Sequence, residues 1–176
     1  MKIILQRFAY RHVIFDSKMA KSFYKLPEKD IKSAVAELVQ EGVLIETESA
    51  QDATHGKAEA SYILCKDVER LATYTAGAPK SVFAMHRNDF LVKSNEHWLK
   101  ERFTHSYPDM LYYLLVDGEF RGAVAGKFRF TPAEVEDVML DLPPEEAAMR
   151  KDEILQAVHV LCGENNPIKR FNGGEL

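Results

Sequence analysis

The stretch from Pro27 to Gly42 constrains the fold of this chain more than any other part of it. Apolar residues recur there at the spacing of one helix face, namely Ile31, Ala34, Val35, Leu38 and Val39. This spacing predicts an amphipathic helix with a single apolar stripe. Pro27 favours a helix start just after it, and Gly42 is typical of the residue that ends a helix. The sequence therefore predicts a short helix that buries one face and exposes the other.

The segments on either side of this helix predict the architecture around it. Residues 1–15 and 18–24 have helical patterns, and Asp16 is a suitable cap for the second helix. Met1 has no cap before it, which indicates either that the chain is part of something longer or that its start is an arbitrary boundary. Two apolar runs, 43–45 and 61–64, enclose a polar stretch and predict a hairpin with a long tip. Three helices followed by such a hairpin form a winged helix-turn-helix, which we predict for residues 1–76.

The second half of the chain has a different pattern, and we predict a separate domain over residues 80–176. Strands are predicted at 81–85, 110–116, 120–130 and 135–142, and helices at 94–103 and 145–161, after a linker at 75–79. Asp117-Gly118 is typical of a tight hairpin turn. The fold class is therefore α+β: a winged helix-turn-helix domain followed by a small antiparallel, barrel-like sheet domain with two helices.

Composition and charge limit the functions open to this chain. Hydrophobic residues make up 46% and charged residues 28%, as in ordinary globular proteins. The net charge of −4 argues against strong non-specific binding to nucleic acid. No apolar run is long enough to span a membrane, and Cys65 and Cys162 fit no metal spacing. We expect a cytoplasmic protein with two free thiols, no cofactor, no bound metal and no membrane partner.

The positive charge is concentrated at the start of the chain. Residues 1–32 contain eight Lys or Arg and three Asp or Glu, whereas residues 33–78 contain three and eight. Lysines on helix two are candidates for phosphate contacts, and polar residues on helix three and the hairpin tip are candidates for the groove. The predicted DNA-binding residues are Arg7, Arg11, Lys18, Lys21, Lys25, Lys29, Lys32, Ser33, Gln40, His55 and Lys57. A solvated helix face of mixed charge is the competing interpretation.

A second polar cluster, His86, Arg87, Asn88 and Asp89, falls between a predicted strand and a predicted helix. Loops on a rigid scaffold often carry function, so this cluster is a candidate second site. The alternative is that Asn88 and Asp89 form an ordinary turn. The six histidines have no spacing typical of a zinc site, and no nucleophile motif is present. We therefore assign no catalytic residue.

Several segments together resemble the interstrand-crosslink-repair DNA glycosylase family and its winged-helix relatives. They are the end of the third helix, 37–44, the segment 86–91, the triplet Glu101-Arg102-Phe103 and the hairpin pattern 114–126. The resemblance implies a scaffold that handles nucleic acid. The catalytic Gln-x-Gln or Gln-x-Asp motif of those glycosylases is missing, because no glutamine here is followed two residues later by Gln or Asp.

These observations leave three hypotheses. The first is a winged-helix module that binds or is associated with duplex DNA and has no catalytic activity. The second is a winged helix that serves protein interaction or structure without DNA, and the acidic balance after residue 32 motivates it. The third is a fragment of a glycosylase-like repair enzyme. Duplex DNA is the expected partner, with upstream winged-helix domains or another protein as the alternatives.

Overall fold

A computed structural model describes residues 1–47, 60–73, 80–103, 107, 109–128 and 134–176. The chain forms two compact units. Unit 1 is Met1–Ala76 together with Lys93–His97, and unit 2 is Gly77–Val92 together with Trp98–Leu176. The fold is of mixed α and β type, as the sequence predicts. The predicted linker at 75–79 lies outside the described residues.

Unit 1 alternates helices with short strands. Its elements are α1 (Lys2–His12), β1 (Ile14–Asp16), α2 (Ser17–Tyr24), α3 (Glu28–Gln40), β2 (Leu44–Thr47), β3 (Ser61–Leu64) and, after a 3₁₀ turn at Cys65–Asp67, α4 (Val68–Ala72). The three strands form an antiparallel sheet in the order β1-β3-β2. The hairpin strands β2 and β3 are therefore confirmed, and the tip between them lies outside the described residues.

The first helix is shorter than the predicted range 1–15, and the difference has a local cause. Val13 has φ 66°, a backbone conformation that a β-branched residue rarely adopts, so α1 stops at His12. The next three residues pair with β3 as strand β1, which the sequence analysis missed. Asp16 then caps α2, because its carboxylate accepts a hydrogen bond of 2.7 Å from the Met19 amide.

The predicted end of α3 is confirmed in detail. Gly42 has φ +71°, which glycine adopts without a steric penalty. Its amide donates to the Val39 carbonyl at 3.0 Å, and the Val43 amide donates to the Leu38 carbonyl at 2.9 Å. These two bonds form a Schellman motif, which satisfies the last carbonyls of the helix and turns the chain into β2.

The core of unit 1 consists of the helix stripes and the inner faces of the strands. Ile31, Ala34, Val35 and Leu38 are all buried, as the stripe on α3 predicts. Phe8 on α1 is fully buried and packs against the rings of Phe15, Phe23 and Tyr24 at centroid distances of 5.5 to 5.9 Å. The exposed face of α3 is thus opposite a tightly packed apolar face.

Unit 2 is built on a six-stranded sheet. Its elements are β4 (Val82–His86), α5 (Phe90–Phe103), β5 (Met110–Val116), β6 (Glu119–Lys127), β7 (Glu134–Leu140), α6 (Pro144–Met149), α7 (Lys151–Cys162), β8 (Arg170–Phe171) and β9 (Gly174–Glu175). The strands follow the order β4-β5-β6-β7-β8-β9, and only β7 and β8 pair in parallel. Of α5, residues Lys93–His97 belong to unit 1.

Several predictions for the second half are wrong. The described strands form an open, mixed sheet with β4 and β9 at its edges, so the predicted antiparallel barrel is not formed. Helix α5 begins at Phe90 because the Asp89 carboxylate caps it by accepting a hydrogen bond of 2.9 Å from the Leu91 amide. The predicted cap residues Ser94 and Asn95 lie in the middle of the helix, and both are buried. The final predicted helix is two helices, α6 and α7, separated at Arg150.

The interior strand β5 is buried on both faces, as its apolar run predicts. Leu111 and Leu114 pack in a cluster that includes Ile154 and Val158 of α7, and Tyr113 packs in a second cluster that includes Leu99 of α5. Strand β6 is irregular near Gly126, where a Cβ would collide with the Glu134 backbone carbonyl. The close approach of two backbones therefore explains that glycine.

We expect Leu114→Ala to destabilise unit 2 by about 2–5 kcal/mol, because Leu114 is 0% exposed. Leu115, the next residue in the same apolar run, is only half-buried, so Leu115→Ala should cost less. Urea unfolding, monitored through the fluorescence of Trp98, measures the free energy of unfolding of both variants. Trp98 is a suitable reporter because it packs on Phe120. Equal costs for the two variants would contradict this assignment.

We also expect Leu38→Ala, at a residue 0% exposed in unit 1, to cost about 2–5 kcal/mol without moving the Trp98 transition. Circular dichroism should then show a separate, earlier loss of helix. A single transition that both Leu38→Ala and Leu114→Ala shift equally would show that the two units share one core, and the predicted domain boundary would be wrong.

Candidate nucleic-acid interface

The predicted DNA-binding lysines of the second and third helices lie on the surface of unit 1. All five are exposed, and we call them the lysine surface: Lys18, Lys21, Lys25, Lys29 and Lys32. Ser33 and Gln40, the predicted groove residues of α3, are exposed as well. The apolar stripe of α3 therefore correctly predicts which face of the helix is exposed to solvent. His55 and Lys57 of the predicted hairpin tip lie outside the described residues.

A carboxylate joins the two helices of this surface. Glu28, the first residue of α3, accepts hydrogen bonds from Lys21 of α2 at 2.9 Å and from Lys32 of α3 at 2.7 Å. The hydrogen bonds from Lys32 and then Lys21 lower the pKa of Glu28 from its ordinary 4.5 to about 2. Glu28 is therefore ionised at neutral pH and neutralises part of the charge of two lysines.

A second carboxylate has the same arrangement. Glu96 accepts from Lys25, the residue that ends α2, and from Lys93, both at 3.0 Å. The hydroxyl of Ser22 donates to the backbone carbonyl of Lys93 at 2.8 Å, which fixes this segment of α5 against α2. Sequence reasoning missed Lys93 and Glu96, because no local pattern indicates a partner about 70 residues away from Lys25.

The cationic residues of the first helix differ in their surroundings. Lys2 pairs with Glu41 at 2.7 Å and with Glu37 at 3.4 Å, and these hydrogen bonds raise the pKa of Lys2. Arg7 and Arg11 are exposed. Arg7 also lines a cleft on α1.

The histidine of α1 has a structural role. The ring of His12 packs against that of Phe8, with the centroids 4.3 Å apart and the rings tilted by 47°, and its Nε2 lies 2.9 Å from the hydroxyl of Ser94. Desolvation by burial, with a smaller contribution from Arg11, lowers the pKa of His12 to about 4. His12 is therefore neutral at physiological pH and adds no charge to the surface.

The second predicted site, His86 to Asp89, forms a turn between β4 and α5. The Asp89 amide donates to the His86 carbonyl at 2.7 Å, and Nδ1 of His86 accepts the Asn88 amide at 3.1 Å. The Arg87 guanidinium lies over the Phe128 ring at 4.8 Å. These contacts explain the polar residues by turn formation and helix capping, which is the alternative named above.

The described ranges contain no group of three His, Cys, Asp or Glu side chains that could hold a metal ion. Among the same residues, no helix combines the length and apolarity needed to cross a bilayer. Comparisons with protein-family models, with curated proteins and with solved structures give no match to this chain. The resemblance to the glycosylase family therefore stays a prediction.

We expect unit 1 to lose stability as the pH falls from about 4.5 to about 2, because protonation of Glu28 removes its ion pairs. Glu28 has a lowered pKa in the folded state, so its stabilising effect is complete above the unfolded pKa and is lost as protons bind between the two values. Melting temperatures of the wild type and of Glu28→Gln across this range measure the effect.

The melting temperature of Glu28→Gln should change less with pH over this range than that of the wild type. The matched control is Glu145→Gln, which removes an equal charge from an exposed position on α6. If Glu28→Gln and Glu145→Gln have the same pH profile, Glu28 makes no special contribution.

Proposed function

We propose that unit 1 is a winged helix that binds duplex DNA weakly through the lysine surface, and that the chain has no catalytic activity of its own. The single observation that carries this proposal is the solvent-exposed face of α3, which lies beside the lysines of α2 and opposite a packed apolar face.

The order of elements supports the winged-helix assignment. Helix α1, strand β1, helices α2 and α3 and the hairpin β2–β3 follow one another, and β3 lies between β1 and β2 in the sheet. Helices α2 and α3 are joined by a turn of three residues, Lys25 to Pro27, which is the length found in helix-turn-helix motifs. In such motifs the second helix enters the major groove and the first crosses the phosphate backbone.

The chemistry of the two helices fits those positions. On α3, Lys29, Ser33 and Gln40 are exposed donors that can reach phosphates or base edges. On α2, Lys18 and Lys21 are exposed and can contact the backbone of the duplex. Because α3 exposes no arginine, the commonest specific reader of guanine, the interface favours backbone contacts over sequence discrimination.

The ion pairs of the lysine surface determine how strongly we expect it to bind duplex DNA. Lys21, Lys25 and Lys32 each have a glutamate partner, so phosphates must compete with Glu28 and Glu96 for these lysines. We therefore expect about three or four neutralised phosphates and a slope of about −3 for log K against log salt. Fluorescence anisotropy of a labelled duplex, titrated with the protein at three salt concentrations, measures this slope. Absence of binding at low salt, or binding that salt does not weaken, would contradict the proposal.

Variants locate the interface. The double variant Lys18→Gln/Lys29→Gln should weaken binding and reduce the magnitude of the slope by about 2, since each phosphate contact contributes about 0.9. Glu28→Gln should tighten binding and steepen the slope, because it releases Lys21 and Lys32. Lys127→Gln, an exposed lysine of unit 2, is the control and should change little. If Lys127→Gln weakens binding as much as the double variant, DNA binds elsewhere.

The chain should show no base excision on alkylated duplex. The Gln-x-Gln or Gln-x-Asp motif is missing, and Glu28, the carboxylate between α2 and α3, has a pKa of about 2, which is unsuited to a general acid at neutral pH. Incubation with alkylated duplex, followed by cleavage of abasic sites, tests this, with a known alkyl-base glycosylase as positive control. Release of modified base above background would support the enzyme hypothesis.

One observation favours the second candidate, a winged helix for protein interaction. Lys21, Lys25 and Lys32 have carboxylate partners, which lowers the potential that would attract DNA. If duplex DNA fails to bind at low salt while the protein remains folded, this candidate replaces the first.

A further inference from the structure

Helix α1 forms one wall of a cleft in unit 1 that the proposed DNA interface does not use. The cleft has a volume of about 500 Å³, within the range of small-molecule sites. Ile3, Arg7 and Tyr10 project into it from positions i, i+4 and i+7, which share one face of a helix. Val43 lines it from the turn after α3, and Leu64 and Lys66 line it from the end of β3 and the following 3₁₀ turn.

One part of the cleft is apolar and open to water. Ile3 is 68% exposed and Tyr10 is 64% exposed, although the opposite face of α1 is fully buried at Leu5, Phe8 and Ala9. Val43, which the Schellman motif at Gly42 directs out of α3, adds apolar surface. Covering such surface is favourable by about 25 cal/mol per Å² of apolar area removed from water.

The other part of the cleft carries two cations. The Nζ of Lys66 lies 5.2 Å from the centre of the Tyr10 ring, so the ammonium is held at the rim above an aromatic face. Arg7 lies on the same wall, between Ile3 and Tyr10. No carboxylate of the described residues forms an ion pair with Arg7 or Lys66, whereas the nearby Lys2 and Arg70 are paired with Glu41 and Asp67.

We infer that this cleft binds an amphipathic organic carboxylate, with its apolar body on Ile3, Tyr10 and Val43 and its anionic head at Arg7 and Lys66. A guanidinium offers two parallel donors that match the two oxygens of a carboxylate. An inorganic anion would leave the apolar wall uncovered, and a neutral hydrocarbon would leave the cations unpaired. Charge and apolar surface together therefore favour a ligand that has both.

Cys65 provides a reporter inside the cleft. Cys65 lines the cleft and is exposed, whereas Cys162 is buried. Burial raises the pKa of the Cys162 thiol. Iodoacetamide should therefore alkylate Cys65 faster than Cys162. Decanoate below its micelle concentration is the probe, and 1-decanol is the uncharged comparison. Mass spectrometry measures the alkylation rate at each thiol.

The expected result is that decanoate slows alkylation of Cys65 in a saturable way and leaves Cys162 unchanged, while 1-decanol protects Cys65 less. Arg7→Gln and Lys66→Gln should each weaken the protection by about tenfold, the effect of losing one charge-assisted hydrogen bond. Both residues are exposed, so both variants should fold. Lys127→Gln on unit 2 is the matched control and should not alter the protection.

Three results would overturn the inference: no protection by decanoate, equal protection by 1-decanol, or protection that Arg7→Gln and Lys66→Gln leave unchanged. Equal slowing at Cys65 and Cys162 would indicate a general effect on the fold and would also count against it. The experiment contains no DNA, so its outcome is independent of the proposed function.

Discussion

The carboxylate of Glu28 lies between two lysines, one from each helix of the lysine surface, and the account of this protein depends on that contact. It joins α2 to α3 at the start of α3, and it determines how much positive charge the surface presents. Both lysines are about half exposed, so the pairs stabilise the fold only weakly in salt. Their main consequence under the proposed DNA binding is electrostatic: a phosphate would have to displace a carboxylate that is already hydrogen-bonded to the lysine.

Glu96 repeats this arrangement with Lys25 and Lys93, and the repetition has a functional meaning under the proposed DNA binding. Two glutamates that each lie between two lysines leave a surface with a small positive excess instead of a strong one. Such a surface would bind a duplex weakly and dissociate readily as salt rises. The net charge of −4 for the whole chain acts in the same direction.

Local patterns in the sequence predict the parts of the fold that depend on near neighbours. The stripe on α3, the end of that helix at Gly42 and the turn at Asp117-Gly118, where both residues have positive φ, all follow from local rules. Strand β1 could not be predicted this way, because its three residues become a strand only by pairing with β3, far along the chain.

The same distinction between local patterns and long-range contacts applies to the candidate site. The sequence identifies the exposed lysines, because helical spacing fixes which residues face away from the apolar stripe. It does not identify their partners, since Lys25 and Glu96 meet only in the folded protein. Within the apolar run of β5, seven similar residues give no signal that Leu114 is buried and Leu115 only half-buried. Long-range contacts, not residue types, decide these features.

The central claim is that duplex DNA contacts the lysine surface of α2 and α3. Acetylation of lysines with and without a saturating duplex, measured by mass spectrometry residue by residue, tests it most directly. The account predicts that Lys18, Lys21, Lys25, Lys29 and Lys32 lose reactivity when DNA is added, while Lys66 and Lys127 keep theirs. Unchanged reactivity on α2 and α3, with protection confined to other lysines or absent altogether, would contradict it.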